Sequence, residues 1–154
     1  MEYRRLGKSD ISISEVSMGC WVTGGSYWGG ADDSESIDAI RTMIDLGVNF
    51  IDTAEVYGDG HSEKVVGQAL QGRRDKVYIS SKVWKSNMRR DDVKKACEGS
   101  LRRLKTDHID VYFIHYPSDE GIPIEETMGA MLKLQQEGKI RVIGLSNFSR
   151  QQME

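Results

Sequence analysis

Four side chains in this sequence could together protonate a carbonyl oxygen as it is reduced: Asp52, Tyr57, Lys82 and His115. Asp52 and Lys82 each end a short, mostly apolar segment, where a charge costs free energy unless an opposite charge meets it. A nearby ammonium favours the ionised form of a tyrosine, which makes the phenol a better proton donor. A neutral histidine could hydrogen-bond the same oxygen and orient it. These residue types indicate an acid assembly for carbonyl reduction, provided that the fold brings them together.

Each of these residues also has a purely structural interpretation. Asp52 and Lys82 could form an ion pair that only stabilises the fold. Tyr57 could be a packing aromatic ring, and His115 could be an ordinary polar residue at the end of a strand. Taken one at a time, the residues do not decide between the two interpretations.

A reduction also needs a hydride, which must come from a cofactor because no side chain supplies one. Ser146 and Asn147 follow an apolar segment and offer a hydroxyl and a carboxamide, groups that could bind an amide-bearing ring. They could equally form only the turn after a strand. We expect no metal site, because Cys, His and acidic residues do not occur at ligand spacing. The two cysteines, Cys20 and Cys97, lie too far apart in sequence to suggest a disulfide framework.

Alternating strands and helices must position these residues. Apolar segments predict strands at residues 16–20, 48–51, 77–82, 109–115 and 140–145. Capping residues and helical spacing predict helices that start near residues 32–34, 62–63, 91–92 and 123, and a further helix after residue 149. A repeat of about 30 residues is typical of βα units in a parallel sheet. Residues 2–15, with a turn at 7–10, predict a small hairpin before the first unit.

An open doubly wound sheet and a (β/α)₈ barrel share this pattern. No Gly-x-Gly-x-x-Gly segment follows the first strand, which disfavours the dinucleotide-binding sheet. Polar residues stand instead at the carboxyl ends of several strands, where barrel enzymes build their sites. We therefore predict an α/β protein of the (β/α)₈ TIM-barrel class. Because a complete barrel needs about 250 residues, residues 1–154 are predicted to be a single domain, the N-terminal part of a barrel with roughly its first five βα units.

Composition excludes several other classes of protein. The net charge of −3 and the lack of a clustered basic excess argue against a nucleic-acid surface. No apolar run approaches the ~18 residues that a membrane span needs, and the start of the chain has no apolar signal segment. We therefore predict a soluble, cytoplasmic protein with no membrane and no nucleic-acid partner.

Several motifs resemble the aldo-keto reductase family. They are Asp52-Thr53-Ala54-Glu55-Val56-Tyr57-Gly58, Ser62-Glu63 with Gly67, Ser81-Lys82, residues 101–115, and Gly144-Leu145-Ser146-Asn147-Phe148. The resemblance implies a barrel enzyme that reduces aldehydes and ketones with NADPH (NADP⁺ in its oxidised form). Tyr57 would be the general acid and Lys82 would favour its ionised form. Asp52 would hold Lys82, and His115 would orient the carbonyl.

The same resemblance implies a cofactor site. Cofactor contacts fall on Gly19, Cys20, Trp21, Asp52, Ser146 and Asn147. Trp21, Trp28, Trp84 and Tyr116 are candidates for an apolar substrate wall, with ordinary core packing as the alternative. The segment from Gly19 to Thr23 is similar to the branch that contains bacterial general-stress reductases and potassium-channel β-subunits. The second half of the family's barrel, with much of its cofactor site, is absent from these residues.

Two other functions remain open. The protein could be a non-catalytic, cofactor-binding or regulatory subunit. The chain alone could instead be a catalytically silent half-barrel, which self-associates through exposed sheet edges or pairs with the missing C-terminal half. The sequence does not identify the physiological carbonyl compound or the oligomeric state.

Overall fold

The computed structural model describes residues 1–25 and 31–153. The strands are β1 (Tyr3–Arg5), β2 (Ser12–Ser14), β3 (Met18–Gly19), β4 (Phe50–Asp52), β5 (Tyr78–Val83), β6 (Ile109–Ile114) and β7 (Ile140–Leu145). The α-helices are α1 (Asp33–Asp45), α2 (His61–Ala69), α3 (Arg90–Leu104), α4 (Ile124–Gln136) and α5 (Arg150–Met153). Trp28, one of the residues predicted for the substrate wall, lies outside the described residues.

The central sheet has the strand order expected of a barrel. Strands β3, β4, β5, β6 and β7 pair in chain order, and every pair is parallel. Helices α1 to α4 connect successive strands of this sheet, and neighbouring helices pack on one another along one of its faces. A doubly wound sheet reverses its strand order at a switch point, and no reversal occurs in the described part of this chain. The topology therefore agrees with the predicted barrel.

Side chains of β5 alternate between the two faces of the sheet, as the period of two residues in a strand requires. Ile79 and Val83 belong to the hydrophobic core that the sheet forms with the helices. Ser80 and Lys82 lie on the opposite face, where both contact the carboxylate of Asp52. This alternation brings the polar residues of neighbouring strands to the same inner surface.

Helix α1 shows how sequence signals set the helix boundaries. The carboxylate of Asp32 accepts hydrogen bonds from the backbone N–H groups of Ser34 and Glu35, at 2.8 and 3.1 Å, which caps the first turn. Ile40 and Ile44, one turn apart, are buried against the sheet. Such a cap and an apolar stripe position the helix, and they were both predicted from the sequence.

The hairpin of β1 and β2 forms as predicted and is held at the start of β4. The side chain of Asn49 accepts a hydrogen bond from the N–H of Ser14 at 2.6 Å and donates one to the carbonyl of Ser12 at 2.9 Å. Farther along the same end of the sheet, Arg141 donates to Asp10, which lies in the connection between the two hairpin strands. The hairpin thus lies at the amino ends of the parallel strands, opposite the predicted site.

Two predicted boundaries differ from the structure. The segment 16–20 was predicted to be a buried strand, but its paired part is only Met18–Gly19, and Val16 is 51% exposed. The reason is that β3 pairs on one side only, with β4. Pro123 was predicted at the first helical position of α4 and stands one residue earlier, in an extended conformation. None of the described helices is both long and apolar enough to cross a membrane.

Candidate active site

The carboxylate of Asp52 and the ammonium of Lys82 form an ion pair at the carboxyl ends of β4 and β5. Lys82 Nζ lies 2.8 Å from each carboxylate oxygen and 2.8 Å from the carbonyl oxygen of Thr53. Ser80 Oγ adds a hydrogen bond of 2.6 Å to Asp52. The Lys82 side chain is only 9% exposed, whereas that of Asp52 is 32% exposed. The carboxylate therefore offsets the cost of burying the ammonium and holds it in one place.

Tyr57 lies beside this ion pair, in the loop between β4 and α2. Lys82 Nζ donates to Tyr57 Oη at 3.4 Å and lies 5.0 Å from the centre of the phenol ring. A backbone hydrogen bond from the Tyr57 N–H to the carbonyl of Ala54 closes the turn that carries the ring. The structure thus brings together the phenol, the ammonium and the carboxylate that the sequence predicted.

His115 follows β6 and completes the group. Its ring centre lies 5.8 Å from that of Tyr57, nearly perpendicular to it. Burial lowers the pKa of His115 from 6.5 to about 4, and the ammonium of Lys82 adds to this effect while Asp52 opposes it. The imidazole is therefore neutral near pH 7. Its buried Nδ1 atom has no hydrogen-bond partner among the described residues.

Aromatic rings line an open pocket next to these groups. Trp84 packs edge-on against His115 at 5.0 Å and against Tyr116 at 5.4 Å, and Trp21 lies 6.5 Å from Tyr57, between ring centres. The pocket has a volume of about 620 Å³. Its lining consists of Trp21, Val56, Tyr57, Gly58, Asp59, Trp84, His115 and Tyr116. Three of the four residues predicted for the substrate wall therefore border one cavity.

Ser146 and Asn147 lie at the carboxyl end of β7, next to His115. Asn147 Nδ2 donates to the carbonyl of His115 at 2.8 Å and to Ser146 Oγ at 3.0 Å. Asn147 has a φ of 62°, a left-handed conformation that asparagine tolerates better than most residues. The prediction that these residues form a turn and the prediction that they bind an amide are compatible, because the turn directs both side chains to the end of the strand.

The segment Gly19-Cys20-Trp21 lies at the end of β3. The N–H of Cys20 donates to the carbonyl of Asp52 at 2.8 Å, and its side chain is completely buried. Burial raises the pKa of the Cys20 thiol to about 12. A cofactor could therefore meet the backbone of this segment and the exposed Trp21 ring, but not the Cys20 thiol.

Sequence reasoning missed the groups that hold the Tyr57 loop in place. Ser62 Oγ lies 2.8 Å from Thr53 Oγ1 and 2.9 Å from Thr23 Oγ1, in a buried cluster. The carboxylate of Glu55 accepts a hydrogen bond of 2.6 Å from the N–H of Trp84. Such polar residues close to Tyr57 could have suggested anchors for the loop, but their partners are distant in sequence.

No group of three or more Cys, His, Asp or Glu side chains in residues 1–25 and 31–153 is arranged to hold a metal ion. What the geometry offers instead is a proton donor beside a buried cation, a neutral imidazole and an aromatic pocket. This arrangement suits proton transfer to an oxygen atom.

Comparison with known proteins relates this site to one family. The sequence matches the Aldo/keto reductase family model over residues 15–154. Aldo-keto reductase YhdN from Bacillus subtilis (strain 168) is 44% identical over 164 residues, which cover 100% of this chain and 49% of YhdN. A probable voltage-gated potassium channel subunit beta from Arabidopsis thaliana is 36% identical and covers 99% of this chain and 48% of its own length.

A solved structure agrees with the sequence matches. The crystal structure of an aldo/keto reductase from Klebsiella pneumoniae in complex with NADP and acetate is 43% identical, with a TM-score of 0.85, and the match covers 92% of this chain and 48% of that one. This chain thus spans about half the length of the relatives it matches. The predicted barrel class is confirmed, as is the similarity to potassium-channel β-subunits. The chain belongs to the aldo-keto reductase family.

Proposed function

We propose that the full-length protein carrying this chain reduces aldehydes or ketones with NADPH, and that Tyr57 supplies the proton. The proposal is made for the full-length protein because the chain spans about half the length of its relatives. One observation carries it: Lys82 Nζ lies 3.4 Å from Tyr57 Oη while it contacts both carboxylate oxygens of Asp52.

This contact supports a role for Tyr57 as a proton donor. Lys82 donates to the phenol oxygen, which leaves the phenol hydrogen available to a carbonyl oxygen in the pocket. As the proton leaves, negative charge develops on Oη, and the buried ammonium stabilises that charge. Asp52 and the Thr53 carbonyl hold the ammonium in place, so little reorganisation is needed during the reaction.

His115 is proposed to orient the carbonyl group. The imidazole is neutral near pH 7, because its pKa is lowered to about 4. A neutral imidazole can donate one hydrogen bond without competing with Tyr57 as an acid. Trp21, Trp84 and Tyr116 would pack against the rest of the substrate, since they line the same pocket.

The described residues fit the amide end of a nicotinamide cofactor. Asn147 uses its Nδ2 group on His115 and Ser146, which leaves its carbonyl oxygen and the Ser146 hydroxyl hydrogen available to a carboxamide. The backbone of Gly19 and the ring of Trp21 are exposed at the carboxyl end of β3, at the opposite edge of the sheet from β7. NADPH, when bound, supplies the hydride. A relative of this chain was crystallised with NADP, which supports the choice of cofactor.

The test is the Tyr57→Phe variant of the full-length protein, with NADPH oxidation measured on a simple aldehyde. Removing a general acid should lower turnover roughly 10²–10⁴-fold. NADPH binding should change little, because Tyr57 is not among the proposed cofactor contacts. Equal turnover in both proteins would refute the assignment of Tyr57 as the acid.

A regulatory, cofactor-binding subunit is the second candidate, supported by the 36% identity to a probable potassium channel subunit beta. The contacts among Asp52, Tyr57, Lys82 and His115 favour the enzyme, because a binding subunit does not need a proton donor beside a buried cation. A wild-type protein that binds NADPH but reduces no aldehyde or ketone would support the subunit instead.

A further inference from the structure

Glu55 connects the loop that carries Tyr57 to the segment that carries Trp84. Its Oε1 atom accepts a hydrogen bond from the backbone N–H of Trp84 at 2.6 Å and another from Asn87 Nδ2 at 3.0 Å. Glu55 lies two residues before Tyr57 in the loop after β4. Trp84 and Asn87 lie at either end of a short 3₁₀ turn after β5. One carboxylate oxygen therefore holds two loops at a fixed separation.

Both loops form walls of the aromatic pocket. Tyr57 and Trp84 line it, and the Trp84 ring packs edge-on against His115 at 5.0 Å. Glu55 is half-buried and is not itself part of the pocket lining. It can therefore influence a substrate only through the residues that it holds.

The hydrogen bonds of Glu55 contribute to holding the Tyr57 loop and the Trp84 segment at this separation. An ionised acceptor makes a hydrogen bond roughly twice as strong as a neutral one. Removing the acceptor would also leave the Trp84 N–H without this partner, and the cost of leaving a part-buried donor unpaired favours movement of the loop.

We infer that Glu55 is a positioning residue that sets the distance between Tyr57 and the Trp84 wall, and thereby the preference of the pocket for bulky aromatic carbonyl substrates. The inference rests on the proposed reductase function. A bulky substrate needs both the proton donor and the aromatic wall, whereas a small aliphatic aldehyde needs the proton donor and the oxygen-orienting group only. Loss of Glu55 should therefore affect the two substrates unequally.

The test compares the steady-state kinetics of the full-length protein with 2-naphthaldehyde and with propanal. Glu55→Ala should lower kcat/KM for 2-naphthaldehyde about tenfold, mostly through a higher KM, and change that for propanal less than about twofold. Glu55→Gln keeps an oxygen acceptor at the same position and should recover most of the preference. Asn87→Ala removes one of the two bonds and should give a smaller shift in the same direction.

Glu126 provides a matched control, because its carboxylate also accepts a hydrogen bond from a backbone N–H, that of Arg90 at 3.0 Å, and neither residue lines the aromatic pocket. Glu126→Ala should leave the ratio of kcat/KM for 2-naphthaldehyde to that for propanal unchanged. A wild type that reduces neither aldehyde would overturn the proposed function and this inference with it. If the wild type is active, and Glu55→Ala and Asn87→Ala both keep its ratio of kcat/KM for the two aldehydes, the inference alone is overturned. Should Glu55→Ala fail to fold, the ratios for Asn87→Ala and Glu55→Gln still decide the question.

Discussion

Gly24 and Gly58 approach each other so closely that a Cβ atom on Gly58 would lie 2.0 Å from the carbonyl oxygen of Gly24. Gly24 ends the turn that follows Trp21, and Gly58 follows Tyr57 directly. Gly58 also has a φ of 58°, a backbone conformation that residues other than glycine adopt only at a cost in free energy. The contact fixes the loop of the proposed acid against the segment of the proposed cofactor site.

Gly58→Ala should therefore disrupt both stability and reduction. The new methyl group meets backbone atoms that cannot rotate away, so the two loops must separate. We expect a loss of more than about 2 kcal/mol in the free energy of unfolding and at least a tenfold loss of aldehyde reduction. Urea unfolding and NADPH oxidation by the full-length protein measure the two effects.

Gly72 is the control for this prediction. Its φ of 72° is also left-handed, but a Cβ atom there would meet nothing within 4 Å. Gly72→Ala should lose only the conformational cost, about 1–2 kcal/mol, and keep its activity. If Gly58→Ala were no worse than Gly72→Ala, the close approach would have no functional importance.

The side chain of Glu63, a residue of α2, is completely buried against α3 and β5, and Arg103 is its counter-ion. The carboxylate accepts hydrogen bonds from Arg103 Nε and Ser81 Oγ, each at 2.6 Å. Arg103→Leu would leave a buried carboxylate without its cation. We expect a loss of about 2–4 kcal/mol in the free energy of unfolding, measured in urea.

The double variant Glu63→Gln with Arg103→Leu should recover part of that loss, because no uncompensated charge remains. Arg102 lies on the same helix and is exposed, so Arg102→Leu should change stability by less than about 0.5 kcal/mol. A double variant less stable than Arg103→Leu would show that the ion pair is not the source of the effect.

Lys82→Met tests the cation without removing the phenol. The variant keeps a long side chain but no longer stabilises negative charge on Tyr57. Aldehyde reduction should fall roughly 10²–10⁴-fold. The loss of stability should be smaller than for Arg103→Leu, because the side chain of Asp52 is 32% exposed and water can solvate it. Retained activity, measured as NADPH oxidation, would contradict the proposed role of Lys82.

The sequence predicted those parts of the fold and site that depend on local patterns. Apolar periodicity located β5, β6 and β7 to within one or two residues, and capping residues located the start of α1. The ion pair between Asp52 and Lys82 was also predictable, because a charge at the end of a buried strand costs free energy that a nearby opposite charge offsets. These predictions required only the rule that the carboxyl ends of parallel strands lie at one edge.

Contacts between distant loops could not be predicted in the same way. Glu55 belongs to the segment from Asp52 to Gly58, but nothing in its sequence neighbours indicates that the N–H of Trp84 lies within hydrogen-bond distance of its carboxylate. The contact of Gly24 with Gly58 depends on the path of two loops that no periodic pattern determines. Such contacts arise from tertiary packing, which the spacing of residue types does not specify.

The pKa of His115 predicts a pH dependence of stability. Burial lowers it from 6.5 to about 4 in the folded protein, and the unfolded chain should titrate near the ordinary value. Between these values the unfolded state binds more protons, so stability rises with pH. The contribution of His115 is complete above about pH 6.5 and is lost as the pH falls toward about 4.

His115→Gln removes this contribution while other titrating groups remain. The stability of wild type relative to His115→Gln, measured by urea unfolding from pH 4 to 7.5, should increase with pH up to about 6.5 and then level off. A difference that stays constant over this range would show that folding does not lower the pKa of His115.

The last prediction concerns residues 1–154 expressed alone. Strands β3 and β7 form the two edges of the central sheet, and neither has a partner on its outer side among the described residues. Leu145 of β7 is 39% exposed, so this edge offers apolar surface as well as free backbone groups. Unpaired edges of this kind promote association between chains. We therefore expect light scattering to show oligomers. We also expect negligible NADPH oxidation with propanal, because the matched relatives are about twice as long as this chain. A compact monomer that consumes NADPH at a measurable rate would show instead that these five parallel strands and their loops suffice for the reaction.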